Sequence, residues 1–195
     1  LIQEGVDINK LSGGGMTYLY FALMRKEYDI MKLLLENGAN PNIVNNFYSK
    51  PGYQKEGYSE EKELGVCLET SGDPYYEIKY MKLLIEYGAN VNDTIGITPL
   101  EASCHDNLQS KEKIKYLVEH GAEINYCPSG ASIIGSQASI YNWDMVLFLL
   151  NLGANPMSDI DPDFNVDSAV QDYYDEGFDL DSENGKMAQE VKRRL

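Results

Sequence analysis

Residues 33–42 read LLLENGANPN, and this stretch decides the fold because it recurs along the chain. Copies stand at 83–92 (LLIEYGANVN), 116–125 (YLVEHGAEIN) and 148–157 (FLLNLGANPM), and a degenerate copy, GVDIN, occupies 5–9. The glycines of successive copies lie 33, 50, 33 and 32 residues apart. A fixed period near 33 predicts stacked repeats, and the single long interval predicts one insertion of about 17 residues.

Each copy contains the signals of a helix end. A Leu-rich run with helical periodicity leads into glycine, the residue that most easily adopts the left-handed conformation after a helix. Upstream, a shorter helix is predicted to begin at Thr17, at Thr98-Pro99 and at Ser132, because Thr and Ser cap helices and proline is tolerated in the first turn. The sequence therefore predicts one helix pair per repeat.

These residues resemble the ankyrin repeat family, whose pattern is Thr-Pro-Leu-His-x-Ala, a second helix, and then Leu-Leu-x-x-Gly-Ala-x-x-Asn. The second half of the pattern is kept better than the first, and the family's histidine is replaced by Tyr20, Glu101 and Gly135. The resemblance implies an all-α, ankyrin-like solenoid of stacked helix–turn–helix repeats with one long inserted loop.

The predicted boundaries follow the copies. Residues 1–157 form the repeats: a partial repeat at 1–9, then repeats at about 10–42, 43–92, 93–125 and 126–157, with the insertion at about 45–62. Residues 158–195 form an acidic capping segment that ends in a short basic helix at 186–195. Terminal repeats need such a polar outer face.

The insertion is rich in aromatic residues that no core periodicity requires: Phe47, Tyr48, Tyr53 and Tyr58. Insertions in repeat stacks project along one face, which is often the binding face, and tyrosine offers a large contact area at low entropic cost. The alternative is that these rings fold back over helix ends beneath the loop. Further predicted contacts are Asp93, Thr94 and Ile95 at a turn tip, and Tyr141 and Asn142 near the end of a first helix.

Charge is concentrated near the C-terminus. The formal net charge is −15, and residues 159–183 hold ten Asp or Glu and no Lys or Arg. Such a balance disfavours nucleic acid and favours a basic protein partner. The acidic residues predicted to contact it are Asp172, Asp175, Glu176, Asp179 and Asp181.

Catalytic and metal chemistry find little support. Cys104 and His105 are neighbours on a helix and point about 100° apart, so they cannot form a nucleophile–base pair. Cys127 and His120 add no ligand spacing suited to zinc. The run Asp161-x-Asp163-x-Asn165 imitates a calcium loop, but Val166 replaces the required glycine and Asp172 the bidentate glutamate, so any calcium binding would be weak. The prediction is a chain without enzymatic activity, cofactor or metal.

The functional hypothesis is a protein–protein interaction module that binds a basic partner. A sharper alternative is an immunity protein that neutralises a basic toxin such as a nuclease, with residues 159–183 imitating phosphates. A third alternative is a targeting portion of a larger enzyme or host-directed effector. Three scattered cysteines and no long apolar run predict a cytoplasmic, non-membrane protein, and the net charge predicts a monomer when unbound.

Overall fold

The computed structural model describes residues 5–47, 63–95, 97–104, 108–126, 132–157 and 165–195. Within them, helices alternate along the chain in pairs: α1 (Tyr18–Met24) and α2 (Tyr28–Glu36), α3 (Cys67–Gly72) and α4 (Ile78–Glu86), α5 (Pro99–Ala102) and α6 (Leu108–Glu119), α7 (Ile133–Ser139) and α8 (Trp143–Asn151), α9 (Val166–Asp175) and α10 (Glu183–Arg194). The chain forms two compact units, unit 1 (Leu1–Lys113) and unit 2 (Ile114–Leu195).

The predicted starts of the first helices are confirmed. Thr17 accepts a hydrogen bond from the Tyr20 amide, Ser132 accepts one from the Gly135 amide, and Thr98 forms a full capping box with Glu101. A capping side chain satisfies backbone N–H groups that have no partner in the first turn of a helix.

The predicted helix stops are confirmed as well. Gly38, Gly88, Gly121 and Gly153 all have φ between 84° and 94°, the left-handed region in which a side chain would be strained. The alanine after each glycine donates to a carbonyl five residues earlier, as Ala39 does to Leu34 at 3.0 Å, and each of these alanines is buried. The repeated phrase is therefore a helix terminus that also contributes a small apolar residue to the core.

Asparagine side chains link successive copies of the phrase. In unit 1, Asn42 accepts a hydrogen bond from the Asn90 amide at 2.7 Å and donates to the Gly88 carbonyl at 2.9 Å. Asn9 makes the same two bonds with Asn40 and Gly38. The last asparagine of the phrase is thus the residue that holds one turn to the next, and it does so across the insertion.

The insertion begins and ends in a pair of strands, which the sequence did not predict. β1 (Asn45–Phe47) pairs antiparallel with β2 (Glu63–Gly65) in the register Asn45 with Gly65. Asn45 is also buried, and its side-chain oxygen accepts from the Thr17 amide at 2.8 Å. Because the pairing brings the two ends of the inserted segment together, the extra residues leave the Asn42–Gly88 link intact.

In unit 2, the C-terminal segment forms a full helix pair rather than the single basic helix predicted at 186–195. Asn165 and Ser182 cap α9 and α10, and Gly177, with φ 76°, follows α9. α9 packs against α7, and α10 against α8 and α9, so that Val170 and Tyr173 are buried, as their spacing predicts. The pair packs on α7 and α8 as a further repeat would.

Candidate protein-binding surface

The acidic residues of the C-terminal segment lie on the exposed side of α9 and in the turn that follows it. Asp172, Asp175, Glu176, Asp179 and Asp181 are all exposed, whereas the apolar side of the helix is buried. Between 165 and 183 there is no Lys or Arg to neutralise them. An ordered helix pair therefore presents five carboxylates to solvent in unit 2.

Tyr141 lies beside this acidic surface. Its ring packs edge-on against Tyr173 and Phe178, with centroids 5.3 and 5.4 Å away. Desolvation and a hydrogen bond from its hydroxyl to Glu176 raise the pKa of Tyr141, and Asp172 adds a like effect. The structure thus brings Tyr141 together with two of the predicted acidic residues, which the sequence alone could not place.

Tyr141 adopts a positive φ of 57°, and the equivalent turn after α1 does the same at Lys26, with φ 58°. The conformation therefore belongs to the turn between paired helices and is no sign of function by itself. Asn142 has a structural role: its side chain accepts from the Met145 amide at the start of α8 and donates to Gln137 at 2.9 Å. The side-chain oxygen and nitrogen of Asn142 are therefore already hydrogen-bonded within the chain.

The turn tip predicted at 93–95 lies in unit 1. Asp93 accepts a hydrogen bond from the Ile95 amide at 2.8 Å, which closes a local turn, and Thr94 is exposed at its tip. Of the predicted aromatic contacts, Phe47 is the last residue of β1, and Tyr48, Tyr53 and Tyr58 lie outside the described residues.

A pocket that the sequence analysis missed lies between α3 and α5 in unit 1. It has a volume of about 440 Å³, within the usual range for binding sites. Seven residues line it: Glu69, Thr70, Asp73, Tyr75, Tyr76, Ile97 and Ala102. Glu69 occupies the position of the family's histidine, in phase with Glu101 in the next repeat, so an alignment of the repeats would have drawn attention to it.

Glu69 is an unusual carboxylate. One oxygen, Oε2, is buried and has no hydrogen-bond partner among the described residues. Burial is the main cause that raises the pKa of Glu69 to about 7; a hydrogen bond from the Val66 backbone opposes the shift, and the like charge of Asp93 adds to it.

A buried lysine donates hydrogen bonds to the backbone at the end of α3. Lys113 is fully buried, and its ammonium donates to the carbonyls of Ser71, Gly72 and Asp73 at 3.0, 3.1 and 2.7 Å. These are carbonyls at the end of α3, which no helical N–H can satisfy. Burial lowers the pKa of Lys113 to about 8, and the nearby Asp73 partly opposes that shift.

The residues considered for other chemistry have ordinary structural roles where they are described. Burial raises the pKa of the Cys104 thiol to about 12, which disfavours the nucleophilic thiolate. His120 is exposed, with its Nδ1 2.7 Å from the Tyr116 carbonyl at the end of α6. Asn165, from the calcium-like run, caps α9. Among the described residues, no cluster of three or more His, Cys, Asp or Glu is arranged to hold a metal ion.

No helix in the described ranges combines the length and the apolar character that crossing a membrane requires. His105, Cys127, Asp161 and Asp163 lie outside those ranges.

The helix pairs, glycine stops and asparagine links define a repeat protein, and comparison identifies the repeat. The family model for the ankyrin repeat matches residues 14–46. The human ASB11 ankyrin repeat domain superposes with a TM-score of 0.63 at 17% identity, covering 97% of this chain and 74% of that one. The chain therefore belongs to the ankyrin repeat family, and its fold is the all-α ankyrin solenoid.

Relatives by sequence include viral ankyrin repeat proteins. Protein L86 of Acanthamoeba polyphaga mimivirus is 31% identical over 80% of this chain, and protein R600 of the same virus is 34% identical over 65%. Fowlpox virus protein FPV222 is 28% identical over 51%. The chain spans only 23%, 36% and 16% of these three relatives. Ankyrin repeats in general are non-enzymatic modules that mediate protein–protein interaction.

Proposed function

We propose that this chain binds a basic partner protein and that the acidic surface formed by α9 and the following turn makes the principal contact. The observation that supports this is the arrangement of five exposed carboxylates on an ordered helix pair with no intervening Lys or Arg. Unpaired surface charge of one sign accelerates association with a partner of the opposite sign.

Tyr141 supplies the aromatic contact within the same unit. A tyrosine beside carboxylates offers apolar area for burial together with a polar hydroxyl, a combination that is enriched at interfaces. The turn at Asp93, Thr94 and Ile95 and the aromatic residues of the insertion, Phe47, Tyr48, Tyr53 and Tyr58, are proposed as further contacts. The chain is proposed to be a cytoplasmic monomer before it binds.

The test compares two matched triple variants of the full chain. One neutralises the acidic surface, and the other removes the same number of exposed carboxylates from α2 and α4 and their flanks: Asp172→Asn, Glu176→Gln and Asp179→Asn against Glu27→Gln, Asp29→Asn and Glu86→Gln. The partner is captured from native lysate with the unaltered chain, identified and purified, and its affinity for all three proteins is measured over a range of salt concentrations.

The acidic-surface variant should bind about 3- to 150-fold more weakly at low salt, since each of three exposed ion pairs contributes about 0.2–1 kcal/mol. Its affinity should also depend less on salt, whereas the control variant should behave like the unaltered chain. Equal affinity of the two variants would contradict the proposal, and so would a partner that carries no basic surface.

The lengths of the relatives support a second proposal, that these repeats target a larger enzyme or effector to its substrate. The relatives at 31% and 34% identity are about three to four times as long as the part that this chain matches. The reading frame on both sides of the coding region tests this proposal directly. An in-frame catalytic domain would support it, and stop codons close to both ends would contradict it.

A further inference from the structure

The pocket between α3 and α5 combines three properties: a carboxylate with one oxygen that has no hydrogen-bond partner among the described residues, a wall of tyrosine, and an opening to solvent. α3 supplies Glu69, the turn after α3 supplies Asp73, Tyr75 and Tyr76, and Ile97 lies nearly half exposed at the rim. None of these features requires contact with unit 2.

The two oxygens of the Glu69 carboxylate differ in their hydrogen bonding. A backbone hydrogen bond from Val66 engages the side chain at the start of α3, while Oε2 is buried and lacks a partner among the described residues. A buried oxygen without a hydrogen bond costs free energy, and a donor in the pocket would recover that cost once the Glu69 side chain turns Oε2 towards it. The equivalent residue in the next repeat, Glu101, completes its capping box.

The ammonium group of Lys113 does not neutralise the charge of Glu69. Lys113 directs its three donors at three backbone carbonyls within 3.1 Å, which uses its full hydrogen-bonding capacity. The charged side chain that acts on Glu69 is Asp93, which repels it. Among the described residues, no positively charged side chain contributes to the shift in the pKa of Glu69, and Lys26 lies against the ring of Tyr75 instead.

The tyrosine wall is suited to a cation. Tyr75 and Tyr76 pack edge to face with centroids 5.7 Å apart, and Lys26 already places its ammonium 3.2 Å from the centre of the Tyr75 ring. This intramolecular contact shows that the aromatic pair accepts a positive charge in the geometry of a cation–π interaction. Tyr76 itself is buried and forms part of the inner wall.

We propose that this pocket receives an arginine side chain of the partner protein, with the guanidinium donating to Glu69 and stacking along Tyr76. Arginine fits better than lysine because its planar group can donate to a carboxylate and lie against an aromatic face at once. The inference rests on the proposed function, since it requires a basic partner, and it adds a specific insertion site in unit 1 to the acidic surface of unit 2.

The probe is the blocked pentapeptide acetyl-Gly-Gly-Arg-Gly-Gly-amide, titrated into the full ¹⁵N-labelled chain and followed by amide chemical shifts. Saturable shifts are expected at the pocket amides of Thr70, Tyr76 and Ala102, with a dissociation constant on the order of millimolar for so small a ligand. The same peptide with citrulline, which keeps the shape and loses the charge, should produce no saturable shift.

Two variants test the residues. Glu69→Gln should weaken the peptide by at least about tenfold, since a hydrogen bond to a charged group contributes about 1.5–3 kcal/mol. Glu101→Gln, the same change one repeat later, should leave the affinity unchanged. Ile97→Lys, at an exposed position that should not affect folding, places a competing cation at the rim and should also weaken binding.

Three results would overturn the inference: equal binding of the citrulline peptide, unchanged affinity in Glu69→Gln, or shifts confined to α9. Shifts confined to α9 would still support the proposed acidic surface, because the arginine peptide would have bound there and not in the pocket. Conversely, the peptide could bind the pocket while the intact partner binds the acidic-surface variant as tightly as the control variant. That result would remove the proposed principal contact and keep the pocket.

Discussion

The buried lysine of α6 leads to a stability prediction with an unusual dependence on pH. The pKa of Lys113 is lowered to about 8, against about 10.4 for an exposed lysine. Between these two values the unfolded chain binds more protons than the folded chain, so the free energy of unfolding should rise with pH. From pH 7 to pH 10 the linkage relation gives a rise of about 2.5 kcal/mol from this residue alone.

The assay is urea unfolding of the full chain and of Lys113→Met at several pH values between 7 and 10. Subtracting the curve of the variant removes contributions from other groups, such as Tyr20, whose pKa burial raises to about 12. The unaltered chain should gain about 2.5 kcal/mol relative to the variant over this interval. At pH 7 the variant should be less stable by about 1–4 kcal/mol, because the carbonyls of Ser71 and Gly72 lose the lysine donor while the cost of burying a charge is removed. The Asp73 carbonyl keeps the Tyr76 amide as a donor.

Lys115→Met is the matched control. Lys115 lies two residues further along the same helix, is exposed, and reaches Glu119 at 3.8 Å. Its replacement should change the free energy of unfolding by less than about 0.5 kcal/mol, with no difference in pH dependence. Parallel pH curves for Lys113→Met and the unaltered chain would refute the reasoning, because they would show that the ammonium is as well solvated in the folded chain as in the unfolded one.

Three further predictions concern single residues. Asn42→Ala should destabilise unit 1 by about 1–3 kcal/mol in urea unfolding, since it breaks both hydrogen bonds to the next turn. The control Asn37→Ala breaks only a hydrogen bond within its own helix end and should cost less. Equal losses of stability would contradict the role of the links between turns. Gly185→Ala should speed amide hydrogen exchange in α10, because a Cβ there would meet the backbone of the preceding turn. Gly13→Ala, whose Cβ would lie in open space, should leave the exchange rates in α10 unchanged. Unchanged exchange in Gly185→Ala would rule out the close approach. Glu69 should titrate near pH 7 when its carboxyl ¹³C shift is followed by NMR. The stability that its protonated form contributes below pH 4.5 should be lost as the pH rises to 7. A titration midpoint near 4.5 would show that the carboxylate is solvated.

The sequence predicted the repeated helix ends well because their causes are local. A glycine that needs a positive φ, a Thr or Ser that caps the next helix, and an apolar run before the glycine act within a few residues of one another. Gly38 and Thr98 could therefore be placed correctly without knowledge of any distant contact. Gly177 carries the same signal in the C-terminal segment, but the run of acidic residues around it hid the helix that ends there.

The candidate site was predicted only in part. The exposed carboxylates of α9 could be expected from composition, whereas the contact of Tyr141 with Glu176 depends on how α7 and α9 pack. The pocket around Glu69 was missed because its wall comes from residues that are distant in sequence, from Glu69 to Ala102.

By itself, then, the sequence determined the repeat class, the glycine ends of the repeated helices and the sign of the surface charge, since these follow from short-range conformation and composition. Only the tertiary structure decided that β1 and β2 close the insertion, that Lys113 is buried beneath α3, and that one oxygen of Glu69 has no hydrogen-bond partner in the described part of the chain. The physical reason is that burial and hydrogen bonding of a polar group depend on which backbone approaches it. For Lys113 that backbone lies about 40 residues away along the chain.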